Sequence, residues 1–299
     1  MIRSFGEVVE KARGKGSKRI VVAGAEDIEA VRAVKDAFEE GIGEGVLIGE
    51  PSKIAEVLGT IGKDSFVKNI IPVFSEEEKG HVSVEEVKKG GILLKGDIKT
   101  STLLRAVLNK EWGLRTEKII SDVLVFEDTR EEGRLVILSD GGVNVKPDFT
   151  SLLSIIENSV NVAHVLGIET PLVALLSANE SVSLDMEETI IYSMIAKMNE
   201  RGQIKNCVVD GPLALDNAIS LYAAQKKGIK SSVAGNADIL IVPNIVAGNL
   251  LGKAINYYAK FKNAHIIVGA NAVILIPSRA DQSDVKFYSI ALAQIYNKI

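Results

Sequence analysis

The sequence contains one cysteine and three histidines, and this scarcity limits the chemistry it can support. Cys207 has no second cysteine with which to form a disulfide or a cysteine-based zinc or iron–sulfur site. His81, His164 and His265 lie far apart and show no metal-binding spacing. The sequence therefore predicts no internal disulfide and no metal site.

Long apolar runs are also missing. None approaches the ~18 apolar residues of a membrane-spanning helix, and residues 1–19 lack the apolar core of a secretion signal. We therefore expect a cytoplasmic protein that does not act on membranes. The 35 Lys and Arg against 39 Asp and Glu give a net charge of -4, so no global positive field attracts nucleic acid. With 46% apolar and 25% charged residues, the composition is globular and excludes disorder and collagen-like fibres.

Two common catalytic signatures are absent as well. No dinucleotide fingerprint follows the first predicted strand, and no GxxxxGK[ST] phosphate loop occurs in the chain. No Gly-x-Ser-x-Gly elbow supports a Ser-His-Asp triad. Cys207 lies in a run typical of a buried strand, where a thiol is usually inert.

What the sequence does contain is an alternation of short β-rich runs and helical runs over 299 residues, enough for one or two domains. The first βαβ unit predicts a parallel sheet with helix cover. Predicted strands are 20–24, 46–49, 69–74, 92–94, 171–176, 206–209, 238–242, 264–269 and 273–276. Predicted helices are 26–40, 51–61, 82–89, 100–108, 148–166, 185–200, 213–227, 246–261 and 282–297.

The alternation is interrupted once. Residues 118–126 and 134–138 are β-rich runs around a charged loop, which predicts an antiparallel hairpin. We therefore predict an α/β protein of two domains with a boundary near residue 118.

Ligands bind beyond the carboxyl ends of strands in open α/β sheets, so residues that follow strands are the candidates for function. Gly24–Asp27 indicates no more than a helix start favoured by its acidic residues. Thr100, Ser101 and Thr102 begin a helix, where they can cap it or hold a phosphate with Arg105 one turn further on. The spacing alone leaves both readings open.

Three further regions follow strands. Asp140 and Asn144 belong to a glycine-containing turn, which turn chemistry alone can explain. Ser278, Arg279, Asp281 and Asp284 could supply a hydroxyl, an anion clamp and a proton acceptor, or simply begin a helix. The remaining region is rich in glycine and amides, beyond what turns usually need: Asp210, Gly211, Pro212, Asn236, Asn244, Gly248 and Asn249.

Four longer runs carry a family resemblance. Residues 201–220, residues 233–243, the Ser-Arg-Ala-Asp run 278–281 and the run 105–115 resemble motifs of the phosphate acetyl/butyryl transferase superfamily. The resemblance extends from about Gly90 to the C-terminus. It implies reversible acyl transfer between coenzyme A and inorganic phosphate, with coenzyme A as a substrate and no cofactor.

The same resemblance implies a fold and an assembly. The expected fold has two three-layer α/β domains with mostly parallel sheets and the active site in the cleft between them, similar to isocitrate and isopropylmalate dehydrogenases. Because the last helix returns to the first domain, residues 1–117 plus 277–299 and residues 118–276 are the expected domains. Homodimers or larger homo-oligomers are expected.

Roles for individual residues also follow from the resemblance. Arg279 and Arg105 would hold phosphate, Ser278 would donate to the carbonyl or oxyanion, and the hydroxyls of residues 100–102 would line the phosphate pocket. The substrate-binding set comprises Asp140, Asn144, Asp210, Gly211, Pro212, Asn236, Asn244, Gly248 and Asn249.

At the position of the proton-handling group, the sequence differs from the motif of the acetyl branch. The presumed base of that branch aligns with Val285. Asp281 and Asp284 share a helix face at i, i+3, and Asp284 is the preferred base. The Ser-Arg-Ala-Asp form favours the butyryl branch, with phosphate acetyltransferase as the alternative. Two rivals of other kinds are a dehydrogenase-like protein and a non-catalytic coenzyme A-binding module. The missing dinucleotide fingerprint weighs against the first, and the presence of Ser278 and Arg279 against the second.

Overall fold

A computed structural model describes residues 1–62, 64–129, 133–278, 281 and 283–296. The chain divides into two compact units. The first unit comprises Phe5–Lys118 and Asn263–Ile299, and the second unit comprises Met1–Ser4 and Ile119–Lys262. The chain thus enters the second unit beside the expected boundary at 118. It returns at Asn263, whereas the expected return lay at 277, because the strands that follow Asn263 pair within the first unit.

The elements alternate along most of the chain. The strands are β1 (Lys18–Ala23), β2 (Gly43–Gly49), β3 (Val67–Pro72), β4 (Ile92–Lys95), β5 (Ser121–Asp128), β6 (Arg134–Ser139), β7 (Leu172–Leu176), β8 (Val208–Leu213), β9 (Ile239–Ile241), β10 (Asn263–Val268) and β11 (Val273–Leu275). The helices are α1 (Phe5–Arg13), α2 (Ile28–Glu39), α3 (Pro51–Ile61), α4 (Glu76–Lys88), α5 (Thr100–Val107), α6 (Phe149–Val165), α7 (Glu187–Glu200), α8 (Leu215–Ile219), α9 (Leu221–Lys226), α10 (Ile245–Lys253) and α11 (Ser283–Tyr296).

In the first unit the strands are ordered β3-β2-β1-β4-β11-β10, and all neighbours pair in parallel except β10 with β11. β1 and β4 are buried at Ile20–Ala23 and Ile92–Lys95, as expected of parallel strands covered on both faces. Asp27 caps α2 by accepting hydrogen bonds from the amides of Glu29 and Ala30. Because β1, β2, β4 and β11 run parallel, their carboxyl ends lie at one edge of this sheet.

In the second unit the strands are ordered β5-β6-β9-β7-β8. β5 and β6 form the predicted antiparallel hairpin, and β6, β9, β7 and β8 run parallel. Apolar side chains of the sheet and of α8–α10 build one continuous core. The prediction of an α/β fold with mostly parallel sheets is confirmed.

Some elements differ from their predicted extents. The predicted helix 213–227 breaks at Ser220, whose backbone is extended and whose hydroxyl caps α9. The predicted helix 246–261 ends as a π-helical turn, Ala254–Tyr258. α1 was not predicted, although its apolar positions recur at helical spacing, and α4 begins at Glu76 because Ser75 caps it. Within the described ranges, no helix combines the length and apolar character that a membrane crossing requires.

Candidate active site

In the first unit, the segments after β1 and β4 are held together through their backbones. The amide of Gly96 donates to the carbonyl of Ala23 at 2.9 Å, and that of Asp97 donates to Gly24 at 2.7 Å. A Cβ at Gly24 would lie 2.3 Å from the Asp97 carbonyl oxygen, and Gly24 has φ +83. Only glycine fits at position 24, and it allows the segment after β1 to lie against the segment that leads into α5.

The hydroxyl residues of α5 divide into two kinds. Thr102 is buried, and its hydroxyl donates to Glu76 Oε1 at 3.2 Å. Glu76 also accepts the Lys99 amide at 2.8 Å, a hydrogen bond that lowers the pKa of this carboxyl. Thr102 therefore ties α5 to α4, so its predicted place in a phosphate pocket is replaced by a structural contact.

Thr100, Ser101 and Arg105 are exposed on the same helix. The N-cap of α5 is Lys99, which makes no capping bond with its side chain, so the hydroxyl run does not act as the cap. Arg105 lies in the second turn of the helix that Thr100 begins. These three residues stay available to an anion at the helix N-terminus.

The segment after β11 forms a reciprocal turn between two predicted site residues. The Ser278 amide donates to Asp281 Oδ2 at 2.7 Å, and the Asp281 amide donates to the Ser278 carbonyl at 3.1 Å. Ser278 itself is exposed. Arg279, predicted to bind phosphate, lies outside the described residues. Asp281 therefore orders the turn that presents Ser278.

Asp284 is exposed in the first turn of α11, and its Oδ1 accepts the Val285 amide at 2.7 Å. Lys286, which the sequence analysis did not single out, is buried two residues further on. Its ammonium donates to the Asp281 carbonyl oxygen at 2.6 Å. A signal was present, since Lys286 stands four and seven residues before the buried Ile290 and Ala293 on one helix face.

In the second unit, Asp140 and Asn144 lie together after β6. Asp140 Oδ1 accepts the amides of Gly142 and Val143, while Oδ2 accepts Asn144 Nδ2 at 2.6 Å. Burial and then the nearby Asp122 carboxylate raise the pKa of Asp140, against the lowering effect of these hydrogen bonds. Asn144 Nδ2 also donates to the Ile120 carbonyl at 2.9 Å. This carboxylate organises the glycine loop.

The start of α10 packs against that loop. Asn244 caps α10 by accepting the Ala247 amide at 3.0 Å. A Cβ on Gly248 would lie 2.6 Å from the Asp140 carbonyl oxygen, and Asn249 Nδ2 donates to the Gly141 carbonyl at 3.4 Å. The structure thus brings five predicted binding residues to the carboxyl ends of β6 and β9: Asp140, Asn144, Asn244, Gly248 and Asn249.

Asp210, Gly211 and Pro212 lie within the edge strand β8, which β7 separates from β9. Asp210 Oδ1 accepts the Gly211 amide at 2.8 Å. Asp210 and Gly211 line an open cleft of about 660 Å³ between β8, α7 and residues 230–232. Asp210 is therefore one strand removed from β9, which Asn244 follows.

Asn236 precedes β9, whereas Asn244 follows it. The Asn236 carbonyl accepts a hydrogen bond from Arg134, the first residue of β6. Asn236 therefore lies at the amino ends of these parallel strands, at the opposite end from Asn244.

Cys207 is buried, which raises the pKa of its thiol to about 11. A thiol in this state is a poor nucleophile at neutral pH. Among the described residues, no group of three or more His, Cys, Asp or Glu side chains has the arrangement of a metal site.

Comparison with known proteins places the chain in a family. A profile described as Phosphate acetyl/butaryl transferase matches residues 77–294. The chain is 43% identical over 297 residues to phosphate butyryltransferase of Clostridium acetobutylicum, covering 99% of this chain and 98% of that protein. It is 44% identical over 292 residues to phosphate acetyltransferase of Thermotoga maritima, covering 97% and 98%.

Among solved structures, a branched-chain phosphotransacylase from Enterococcus faecalis V583 superposes with a TM-score of 0.82 at 29% identity. The superposition covers 93% of this chain and 99% of that one. Profile, sequence and structure agree, and the resemblance carried by residues 201–220, 233–243 and 278–281 is confirmed. The chain belongs to the phosphate acetyl/butaryl transferase family.

Proposed function

We propose that this chain reversibly transfers a short acyl group, butyryl or similar, between coenzyme A and inorganic phosphate, giving acyl phosphate and free coenzyme A. The observation that carries the proposal is that the chain is 43% and 44% identical, over nearly its whole length, to enzymes named for this reaction. The geometry adds an exposed residue with a hydroxyl on an ordered turn, Ser278, and an exposed arginine in the second and last turn of α5, Arg105.

In the direction of acyl phosphate formation, a phosphate oxygen attacks the thioester carbonyl carbon and forms the new C–O bond. The C–S bond breaks, and the thiolate leaves with the electron pair and takes up a proton. The reaction therefore needs an anion clamp, a donor to the developing oxyanion and a group that handles the thiol proton.

We assign these tasks to residues at the carboxyl edge of the first unit's sheet. Ser278 donates to the oxyanion, and Arg105 with Thr100 and Ser101 holds phosphate. Arg279 is proposed as a second phosphate ligand on the family resemblance alone. Attack is direct, and the buried Cys207 forms no acyl intermediate.

Asp284 is the proposed proton-handling group. It is exposed, and its one hydrogen bond within the described ranges is to the amide of the next residue, Val285. The Asp281 carboxylate is occupied by the Ser278 amide and is assigned a positioning role.

Coenzyme A is assigned to the second unit. The loop formed by Asp140 and Asn144 and the start of α10 at Asn244 offer backbone amides and carboxamides beside glycines that permit close approach. Gly248 and Asn249 belong to this set, and Asp210, Gly211 and Pro212 on β8 remain proposed substrate contacts. Asn236 is omitted because of its position at the opposite strand ends.

The acyl preference is proposed as butyryl, with acetyl as the second candidate. The favouring observation for acetyl is the Thermotoga maritima enzyme, which is as similar to this chain as the butyryl enzymes. Acetyl and butyryl differ by two methylenes, and each methylene changes binding by only ~1–3 kcal/mol, so a small change in the acyl pocket is enough to set the preference.

We also propose a cytoplasmic homo-oligomer that needs no cofactor. The second unit exposes several large apolar side chains along α10 and the π-helical turn after it: Val246, Leu250, Tyr257 and Tyr258. Such a surface is typical of contacts between protein chains. Analytical ultracentrifugation tests the assembly, and a purely monomeric protein would contradict it.

Trapping of the product tests the reaction. With butyryl-CoA, added hydroxylamine should yield butyryl hydroxamate in a one-to-one ratio with free thiol, at a rate that requires both enzyme and phosphate and exceeds the direct reaction of hydroxylamine with the thioester. Thiol release without hydroxamate would indicate thioester hydrolysis instead.

A further inference from the structure

Lys286 is the most deeply buried lysine described in the first unit, with 2% of its surface exposed. It occupies the fourth position of α11, and its ammonium donates to the Asp281 carbonyl oxygen at 2.6 Å. Within the described ranges this carbonyl is its one hydrogen-bond partner. The lysine therefore has a single specific contact, and that contact is with the turn that carries Ser278.

Two physical effects oppose a charged lysine at this position. Burial removes the ammonium from water, and the free-energy cost of this step is larger for a charged group than for a neutral polar or apolar side chain. The first turn of a helix carries the positive end of the helix dipole, which disfavours a cation. An apolar residue would satisfy the packing of α11 without either cost, so packing alone does not account for Lys286.

The contact links Lys286 to Ser278 through the backbone. Lys286 fixes the carbonyl of Asp281, the amide of Asp281 donates to the Ser278 carbonyl at 3.1 Å, and the Ser278 amide donates to Asp281 Oδ2 at 2.7 Å. Each of these bonds constrains the next peptide group. The buried Lys286 thereby holds Asp281, whose amide and carboxylate are in turn hydrogen-bonded to the backbone of the exposed Ser278.

We infer that Lys286 is a positioning residue that fixes the Ser278–Asp281 turn for acyl transfer. This inference rests on the proposed function, because the turn matters to catalysis only if Ser278 takes part. Displacing a catalytic donor by about 1 Å lowers turnover by up to ~100-fold, so the effect belongs in kcat. Ground-state binding of acyl-CoA and phosphate is not expected to change.

The test compares Lys286→Met with Lys15→Met. Lys15 is the control for loss of a lysine hydrogen bond to α11: it is exposed, and its ammonium donates to the carbonyl of Ile295 at 3.0 Å, at the far end of the helix. For Lys286→Met, kcat for butyryl-CoA with phosphate should fall at least ~10-fold while both KM values stay within about twofold. Lys15→Met should leave kcat unchanged.

A double-mutant cycle identifies the partner. In a Ser278→Ala background, Lys286→Met should lower kcat by less than about twofold, because the group it positions is already gone. Equal losses in both backgrounds would overturn the inference, as would a folded Lys286→Met protein with wild-type kcat. If Lys286→Met does not fold by circular dichroism, Lys286→Leu, which also removes the donor, replaces it with the same criteria.

Hydrogen exchange separates this inference from the proposed function. Exchange of the Ser278 amide should accelerate at least ~10-fold in Lys286→Met and stay unchanged in Lys15→Met, whatever reaction the enzyme catalyses. A wild-type protein without phosphate-dependent transfer would end the proposed function, while unchanged Ser278 exchange in Lys286→Met would end the inference about Lys286.

Discussion

The amide of Ser278 donates to the carboxylate of Asp281 at 2.7 Å, and the amide of Asp281 donates back to the carbonyl of Ser278. Asp281, which precedes α11, and Asp284, in its first turn, therefore have different surroundings. One carboxylate oxygen of Asp281 accepts the Ser278 amide, whereas Asp284 is exposed in the first turn of α11.

Substitutions at Asp281 test its assignment to the turn. Asp281→Asn keeps an oxygen that accepts the Ser278 amide, so kcat should stay within about threefold of wild type. Asp281→Ala removes that acceptor, and the loss of ~1.5 kcal/mol should lower kcat about 10-fold. Steady-state kinetics with butyryl-CoA and phosphate measures both.

The matched variant at the proposed base is Asp284→Asn, which removes the proton acceptor without changing shape. Its kcat should fall ~100-fold or more. Nearly full turnover in Asp284→Asn together with a large loss in Asp281→Asn would reverse the two roles.

Arg105 and Thr102 share α5 but should respond differently. Arg105→Ala removes a charged donor worth ~1.5–3 kcal/mol and should raise the KM for phosphate by 10-fold or more. Thr102→Val removes only the hydrogen bond to Glu76, so it should cost ~1 kcal/mol in the free energy of unfolding and leave this KM unchanged. A raised KM in Thr102→Val and a normal one in Arg105→Ala would place phosphate elsewhere.

Gly248 and Gly252 offer a matched pair on α10. A Cβ at Gly248 would lie 2.6 Å from the Asp140 carbonyl oxygen, whereas one at Gly252 would lie 3.4 Å from Leu124 Cδ1. Gly248→Ala should lower the free energy of unfolding in urea by ~1–3 kcal/mol and raise the KM for acyl-CoA. Gly252→Ala should stay within ~1 kcal/mol of wild type, and equal behaviour of the two would refute the close contact.

Cys207 should react slowly with alkylating reagents and should not be needed for catalysis. With the pKa of its thiol raised to about 11, roughly one molecule in a thousand carries the thiolate at pH 8. Iodoacetamide should therefore label the native protein slowly and the urea-unfolded protein quickly, and Cys207→Ala should keep kcat within twofold. Inactivation by labelling, prevented by acyl-CoA, would instead indicate an acyl-cysteine route.

Much of the fold was predictable because local signals and tertiary structure agree. Pro51 and the apolar spacing after it gave the bounds of α3 at both ends, and the hairpin of β5 and β6 was visible as two β-rich runs around a charged loop. The break at Ser220 was not, because a serine within an apolar helical pattern becomes a cap only when the chain turns there.

The arrangement of the candidate site residues could not be predicted from the sequence. Thr102 and Thr100 look alike in sequence, and only the position of Glu76 on another helix separates a structural hydroxyl from an exposed one. Asn236 and Asn244 flank the same short strand, so proximity in sequence concealed that they lie at opposite ends of it. Lys286 was not singled out, because a lysine is seldom buried and only its spacing to the buried Ile290 and Ala293 indicates that this one is.

The most direct test of the account is free thiol release from butyryl-CoA and acetyl-CoA, each with and without inorganic phosphate. The account predicts release that depends on phosphate and is faster with butyryl-CoA. Faster release with acetyl-CoA would keep the chemistry and change the preferred acyl group. The absence of phosphate-dependent release from folded protein with both thioesters would contradict the account.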